Sequence, residues 1–187
     1  MIAVYIIIGI VVLLLLLFVF TYNGLVRLRN QVRNAWAQID VQLKRRHDLI
    51  PNLVETVKGY MQYERATLEA VTNARNLAQK AIGSGVGAQA KAEDELSGAL
   101  SRLLAVVERY PDLKANQNFL ALQEELTSTE NKISFSRQYY NDSVLGYNNK
   151  IQMFPSNMVA NMTGFKAGEF FEVTVAAEKE APKVSFS

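Results

Sequence analysis

The sequence predicts an all-α membrane protein. An N-terminal transmembrane helix is followed by an elongated antiparallel bundle of long helices, with a mostly irregular, short-strand C-terminal tail. Three observations predict this. Ile2 to Phe20 is uncharged and almost wholly apolar. From Leu25 to Phe154 apolar residues recur in steps of three and four, the helical period. From Ser156 onward that period is lost. The expected division is 1–22 anchor, 23–154 bundle and 155–187 extension, with bundle helices at about 23–81, 88–109 and 113–154.

The first segment has about 19 residues, which at ~1.5 Å each span ~28 Å, close to the hydrocarbon thickness of a bilayer. Its run from Ile6 to Phe20 exceeds a signal-peptide core, and no basic segment precedes it. Tyr5 and Tyr22 stand where interfacial aromatics belong. The plainer alternative is a buried core helix, but the run is apolar all round. Arg27, Arg29 and Arg33 follow directly, then Lys44-Arg45-Arg46. The positive-inside bias puts the large domain in the cytoplasm, with a periplasmic placement as the alternative.

The stripe Leu25, Leu28, Val32, Trp36, Ile39, Leu43, Ile50, Leu53, Val57, Tyr60, Leu68, Val71 and Ala74 has polar members at Arg46 and Glu64 and keeps phase across Pro51. Two helices meeting in a hairpin have no reason to preserve phase, so one long kinked helix to about Ala81 is preferred. The alternative breaks the chain at His47-Asp48, with Asp48 as N-cap and Pro51 in the first turn.

Gly83-Ser84-Gly85-Val86-Gly87 reads as a connection; no strand precedes it and no Gly-Lys-Ser/Thr follows, as a phosphate loop requires. Leu96, Ala99, Leu100, Leu103, Leu104 and Val107 form the stripe of the next helix, which ends at Tyr110-Pro111. Asn116 is a candidate N-cap for the last helix. Its stripe runs through Phe119, Leu122, Leu126, Thr129, Ile133, Ser136, Tyr140, Val144, Tyr147, Ile151 and Phe154. At ~1.5 Å per residue this helix is about 60 Å long, more than the second helix covers. The long first helix or another subunit must cover the rest. In the extension, Phe171 to Val175 and Pro182 to Phe186 alternate as short strands do. Its aromatic content predicts packing on the bundle or on a neighbouring subunit.

Chemistry is sparse. No cysteine means no disulfide, thiolate metal site or cysteine nucleophile. The single histidine, His47, cannot alone build a triad or a zinc site and reads as a solvated juxtamembrane side chain. Glu93-Asp94-Glu95 and Glu124-Glu125 fan out around a helix instead of converging. No cofactor or metal is expected. A net charge of +2 gives no field for nucleic acid. Six basic and two acidic residues lie between Gly24 and Ile50. On a straight helix the Lys44-Arg45-Arg46 cluster sits ~36 Å past the span, beyond a Debye length of ~8 Å, so lipid contact requires a bend. The plainer reading is a solvated face pairing with acids on another helix. The frequent asparagines are either surface residues or buried amides that fix register.

Several ordered segments resemble the LemA family. They include Tyr22-Asn23-Gly24-Leu25-Val26, the run from Ala35 to Arg46, Asp48-Leu49-Ile50-Pro51-Asn52-Leu53-Val54 and Val57-Lys58-Gly59-Tyr60. Further matches are the run from Glu108 to Asn116, Glu130-Asn131-Lys132-Ile133, Arg137-Gln138-Tyr139-Tyr140-Asn141, Phe154-Pro155-Ser156-Asn157 and Pro182-Lys183-Val184-Ser185-Phe186. Met61-Gln62-Tyr63-Glu64 is bulkier than the small residues expected after Tyr60. The resemblance implies a bacterial inner-membrane protein with a helical domain, and it implies no activity.

The expected function is a non-enzymatic membrane-anchored scaffold that assembles into a homo-oligomer. The alternative is an adaptor or regulator of a membrane protease or other membrane enzyme. Candidate interaction residues are Arg27, Arg29, Arg33, Lys44, Arg45 and Arg46 on the basic segment, with Phe165, Phe170, Phe171, Val184 and Phe186 in the extension. The lipid bilayer is the first partner.

Overall fold

The computed structural model describes residues 1–61 and 63–172. Among them the regular structure is helical: α1 (Ile2–Lys58), α2 (Arg65–Lys80), α3 (Val86–Val107), α4 (Pro111–Lys114), α5 (Gln117–Gln152) and α6 (Ser156–Thr163). Contacts divide the chain into two units. One contains Met1–Asp40 and Ser134–Phe170, the other Val41–Ile133.

α1 begins with an apolar stretch long enough to cross a membrane, and its most apolar window has no residue buried against protein. The stretch is a candidate membrane anchor. α1 continues unbroken through His47, Asp48 and Pro51. The single helix expected over 23–81 is nonetheless two. α1 stops at Lys58, and Tyr60 and Met61 both donate backbone N–H groups to Val57 O at 3.0 Å. The bulky Met61 turns into the core and is buried. Met61 and Leu68 are seven residues apart, two helical turns, so the stripe keeps phase although the chain leaves the helix between them. Phase was therefore no proof of continuity.

An apolar core holds the described residues of the second unit. It joins Ile50, Leu53 and Val57 of α1 to Leu68 and Val71 of α2, Leu96, Leu100 and Leu103 of α3, Leu113 of α4, and Phe119 and Leu126 of α5. α2 packs on α3, joined by a short turn in which Gly83 and Gly85 take positive φ. α5 starts where expected from its cap: Asn116 Oδ1 accepts the N–H of Phe119 at 3.1 Å.

In the first unit α5 runs antiparallel to α1. Tyr140 meets Trp36 edge-on at 5.2 Å between ring centroids, while Ile151, later in the chain, packs with Leu25. The chain then forms α6, where no helix was expected. Its periodicity escapes notice because only Val159 and Ala160 of its apolar residues are buried, under Leu25. Gly164 (φ +73°) ends α6, and Phe165 N–H donates back to Ala160 O at 3.0 Å. The strands expected at 171–175 and 182–186 lie, apart from Phe171 and Glu172, outside the described residues, and those two are not in a strand.

The apolar stripe of α5 is largely covered within one chain: Phe119, Leu126, Ile133, Tyr140, Val144 and Tyr147 are all buried. It needs no second subunit.

Candidate functional site

Two polar assemblies stand out, one in each unit. In the second unit, Arg46 and His47 of α1 meet Glu93 of α3, and all three are buried. One guanidinium nitrogen of Arg46 bonds Glu93 Oε2. The other donates to Ser97 Oγ at 2.9 Å and to Glu130 Oε2 of α5 at 2.5 Å. His47 Nε2 lies 2.8 Å from Glu93 Oε1. Both oxygens of Glu93 thus face a cationic or donor group. Burial pushes the Glu93 carboxyl up. The hydrogen bond from His47, the charges of Arg46 and His47 and the hydrogen bond from Arg46 outweigh it and hold the carboxyl below its ordinary value.

The Arg46 guanidinium bridges Glu93 of α3 and Glu130 of α5, so the cluster ties α1, α3 and α5 at one level. A cavity of about 240 Å³ opens beside it, lined by Leu53, Leu100, Leu104 and Leu126 together with Ser101, Thr127 and Asn131. Among the described residues no group of three or more His, Asp or Glu side chains is placed to hold a metal.

His47 is therefore buried where a solvated side chain was expected. Glu93, Asp94 and Glu95 do fan out around α3 as expected, with Glu93 on the buried side and Glu95 exposed. For His47 and Glu93 alike, charge is no mark of exposure. The missed signal was positional. Arg46 falls on the apolar stripe of α1, and Glu93 stands three residues before Leu96 and seven before Leu100 on that of α3.

In the first unit, the residues after α6 lie along α5. Tyr147 Oη donates to Lys166 O at 2.8 Å and Tyr140 Oη to Glu169 O at 2.8 Å. Asn148 makes a reciprocal pair with Gly168, donating from Nδ2 to its O at 3.0 Å and accepting its N–H on Oδ1 at 2.8 Å. Burial raises the Tyr140 phenol, and the charge of Glu169 raises it further. Burial also raises that of Tyr147, against the opposing charge of Arg29. The Phe165 ring meets Tyr22 edge-on at 5.8 Å and receives the Arg29 guanidinium at 4.9 Å.

The sequence-derived candidates thus separate. Arg29 and Phe165 come together. Arg27, Arg33 and Lys44 are exposed, Arg45 pairs with Glu125, and Arg46 is buried in the cluster. Phe170 is exposed and Phe171 buried. Val184 and Phe186 lie outside the described residues. Sequence reasoning missed His47, Glu93, Glu130, Tyr140, Tyr147 and Asn148 as members of these assemblies.

The family model described as LemA family matches residues 35–186. The chain belongs to the LemA family. Among its relatives, Protein LemA of Metamycoplasma hominis is 30% identical over 85% of this chain and 77% of its own length. Magnetosome protein MamQ 2 of Paramagnetospirillum magneticum is 27% identical over 84% of this chain. Magnetosome protein MamQ of Magnetospirillum gryphiswaldense is likewise 27% identical over 84%. The match spans 66% of the length of each of these magnetosome relatives. The family match includes the Arg46–His47–Glu93 cluster and the bonds of Tyr140, Tyr147 and Asn148, leaves out Tyr22 and Arg29, and begins beyond the apolar stretch of α1.

Proposed function

We propose that the protein is a non-enzymatic, single-pass scaffold that self-associates at the bacterial inner membrane. The apolar start of α1 crosses the bilayer, and Arg27, Arg29 and Arg33 hold the helical domain on the cytoplasmic side. One observation carries the self-association. While one face of α5 is buried, another exposes the aromatic pair Phe135 and Tyr139, one turn apart, with Phe135 73% exposed. We read this pair as the contact surface. Anchoring sets every copy at the same depth, so like pairs meet at the same height and a symmetric contact follows.

The chain has no cysteine, so Phe135→Cys gives a unique crosslinking handle. A short bis-maleimide added to native membranes is expected to yield a homodimer, with a matching mass in mild detergent. A lone copy in both measurements would sink the proposal. A crosslink to one different protein replaces it with the reading of an adaptor for a membrane enzyme.

A further inference from the structure

The end of α5 and α6 expose an unusual set of side chains. Phe154 is 79% exposed, Met158 58% and Met162 76%. Met158 and Met162 are one turn apart on the same face of α6. None of the three contributes to the apolar cluster that seats α6.

That cluster fixes where they stand. Val159 and Ala160 pack on Leu25, together with Phe18, Ile151 and Phe165. Phe18 belongs to the apolar run of α1, and Leu25 is only five residues, about 7.5 Å, beyond the end of that run at Phe20. α6 is therefore held at the level where α1 leaves its apolar stretch. The charges around it are of one sign. From Phe20 to Arg33 and from Leu145 to Gly168 the ionisable side chains with full charge are Arg27, Arg29, Arg33, Lys150 and Lys166, with no Asp or Glu. Arg29 is engaged with Phe165, while Arg27, Arg33, Lys150 and Lys166 are exposed.

We propose that α6 and the turn before it form a second membrane contact. Phe154, Met158 and Met162 enter the headgroup–acyl boundary beside α1, and Arg27, Lys150 and Lys166 bind anionic lipid headgroups around them. This rests on the reading that α1 crosses the bilayer. Continuity with the apolar stretch supplies the position, and the carboxylate-free collar supplies the charge complementarity. A second copy is disfavoured at this surface because it would bring another basic collar against the first. An eight-residue helix is too short to hold a membrane unaided, so it acts as a foot on a chain already tethered by α1.

The test uses the full chain with single cysteines carrying a spin label at Phe154, Met158 and Met162, exposed positions outside the core. Leu13 serves as the span control and Tyr63, 96% exposed in the turn after α1, as the aqueous control. Samples are reconstituted in vesicles of phosphatidylcholine with or without phosphatidylglycerol. Collision with oxygen and with a nickel chelate reports depth. The foot labels are expected to show nickel accessibility several-fold below that of Tyr63, with oxygen accessibility raised, and to sit deeper when phosphatidylglycerol is present. Lys150→Gln with Lys166→Gln is expected to remove that lipid dependence. Nickel accessibility equal to that of Tyr63 overturns the foot. So does protection from both reagents, which signals a protein contact with a second copy. Depth indifferent to phosphatidylglycerol overturns headgroup binding. Leu13 separates the two readings: if it is oxygen-accessible and nickel-protected while α6 is not, the anchor stands and the foot fails.

Discussion

Arg75 Nε donates to the backbone carbonyl of His47 at 2.8 Å, and this is the carbonyl that Pro51 leaves without a helical donor. Residue 51 would normally supply its N–H to residue 47, four positions back, and proline has none. A side chain from α2 takes that place in α1. The interior proline is thus accommodated by a neighbouring helix, and α1 runs on to Lys58.

This gives a coupled pair of substitutions. Arg75→Met alone is expected to destabilise the second unit by about 1–2 kcal/mol, through a lost charged hydrogen bond and an orphaned carbonyl. In a Pro51→Ala background the helix closes its own bond, and the same change should cost much less. Thermal unfolding of the four variants in detergent measures the coupling; simple additivity would refute it.

Glu93→Gln removes the charge that Arg46 and His47 both address. Breaking a buried ion pair from one side costs about 3–5 kcal/mol. Because the folded carboxyl is held below its ordinary value, its contribution is fully present above the unfolded value near pH ~4.3 and is lost as pH falls through the lower folded value. The variant is expected to melt lower at neutral pH and to lose part of the wild-type decline on the acid side. Parallel melting curves from pH 7 to 3 would contradict this.

Asn148→Ala deletes both bonds to Gly168. At about 0.5–1.5 kcal/mol for each bond, the segment 165–170 should loosen without melting α5. Hydrogen exchange at the Gly168 amide is the readout, and unchanged protection there would count against the pairing.

Tyr140→Phe loses the bond to Glu169 O. The raised phenol means that its stabilisation is present below the unfolded value near pH ~10 and is lost as pH rises through the folded value. The variant should be less stable at neutral pH and show a flatter alkaline decline.

Gly164→Ala places a side chain at φ +73° with no neighbour within 4 Å, so only the backbone conformation is penalised, by about 1–2 kcal/mol. Gly168→Ala is the contrast: its new carbon would meet Val144 at 3.4 Å, an ordinary contact, and φ is not left-handed. Exchange rates in α6 should rise in the first variant and change little in the second.

Much of this was legible where one physical signal dominates. The apolar stretch declares itself by composition, and the cap at Asn116 by residue type. α3 has edges set by Gly85 before it and Pro111 after it. The end of α1 was hidden because Met61 resumes the stripe two turns before Leu68. α6 was hidden because its outward residues are as apolar as its inward ones. The Arg46–Glu93–His47 cluster was hidden because charge is read as exposure until partners from a second helix are known; only its place on two apolar stripes hinted at burial. In the sequence Tyr140, Tyr147 and Asn148 look like ordinary stripe or amide residues, since their targets are main-chain groups, whose positions no side-chain pattern reveals.

Residues 165–170 are fastened to α5 at separate points, by Tyr147, Asn148 and Tyr140. Such a fastening opens one tooth at a time. Pulled away from α5, the segment would come off in discrete steps of unequal strength, with the double bond at Asn148 the hardest to undo. A binding partner that competes for the main chain of Lys166, Gly168 and Glu169 could therefore stop at any of these steps and leave the helices intact.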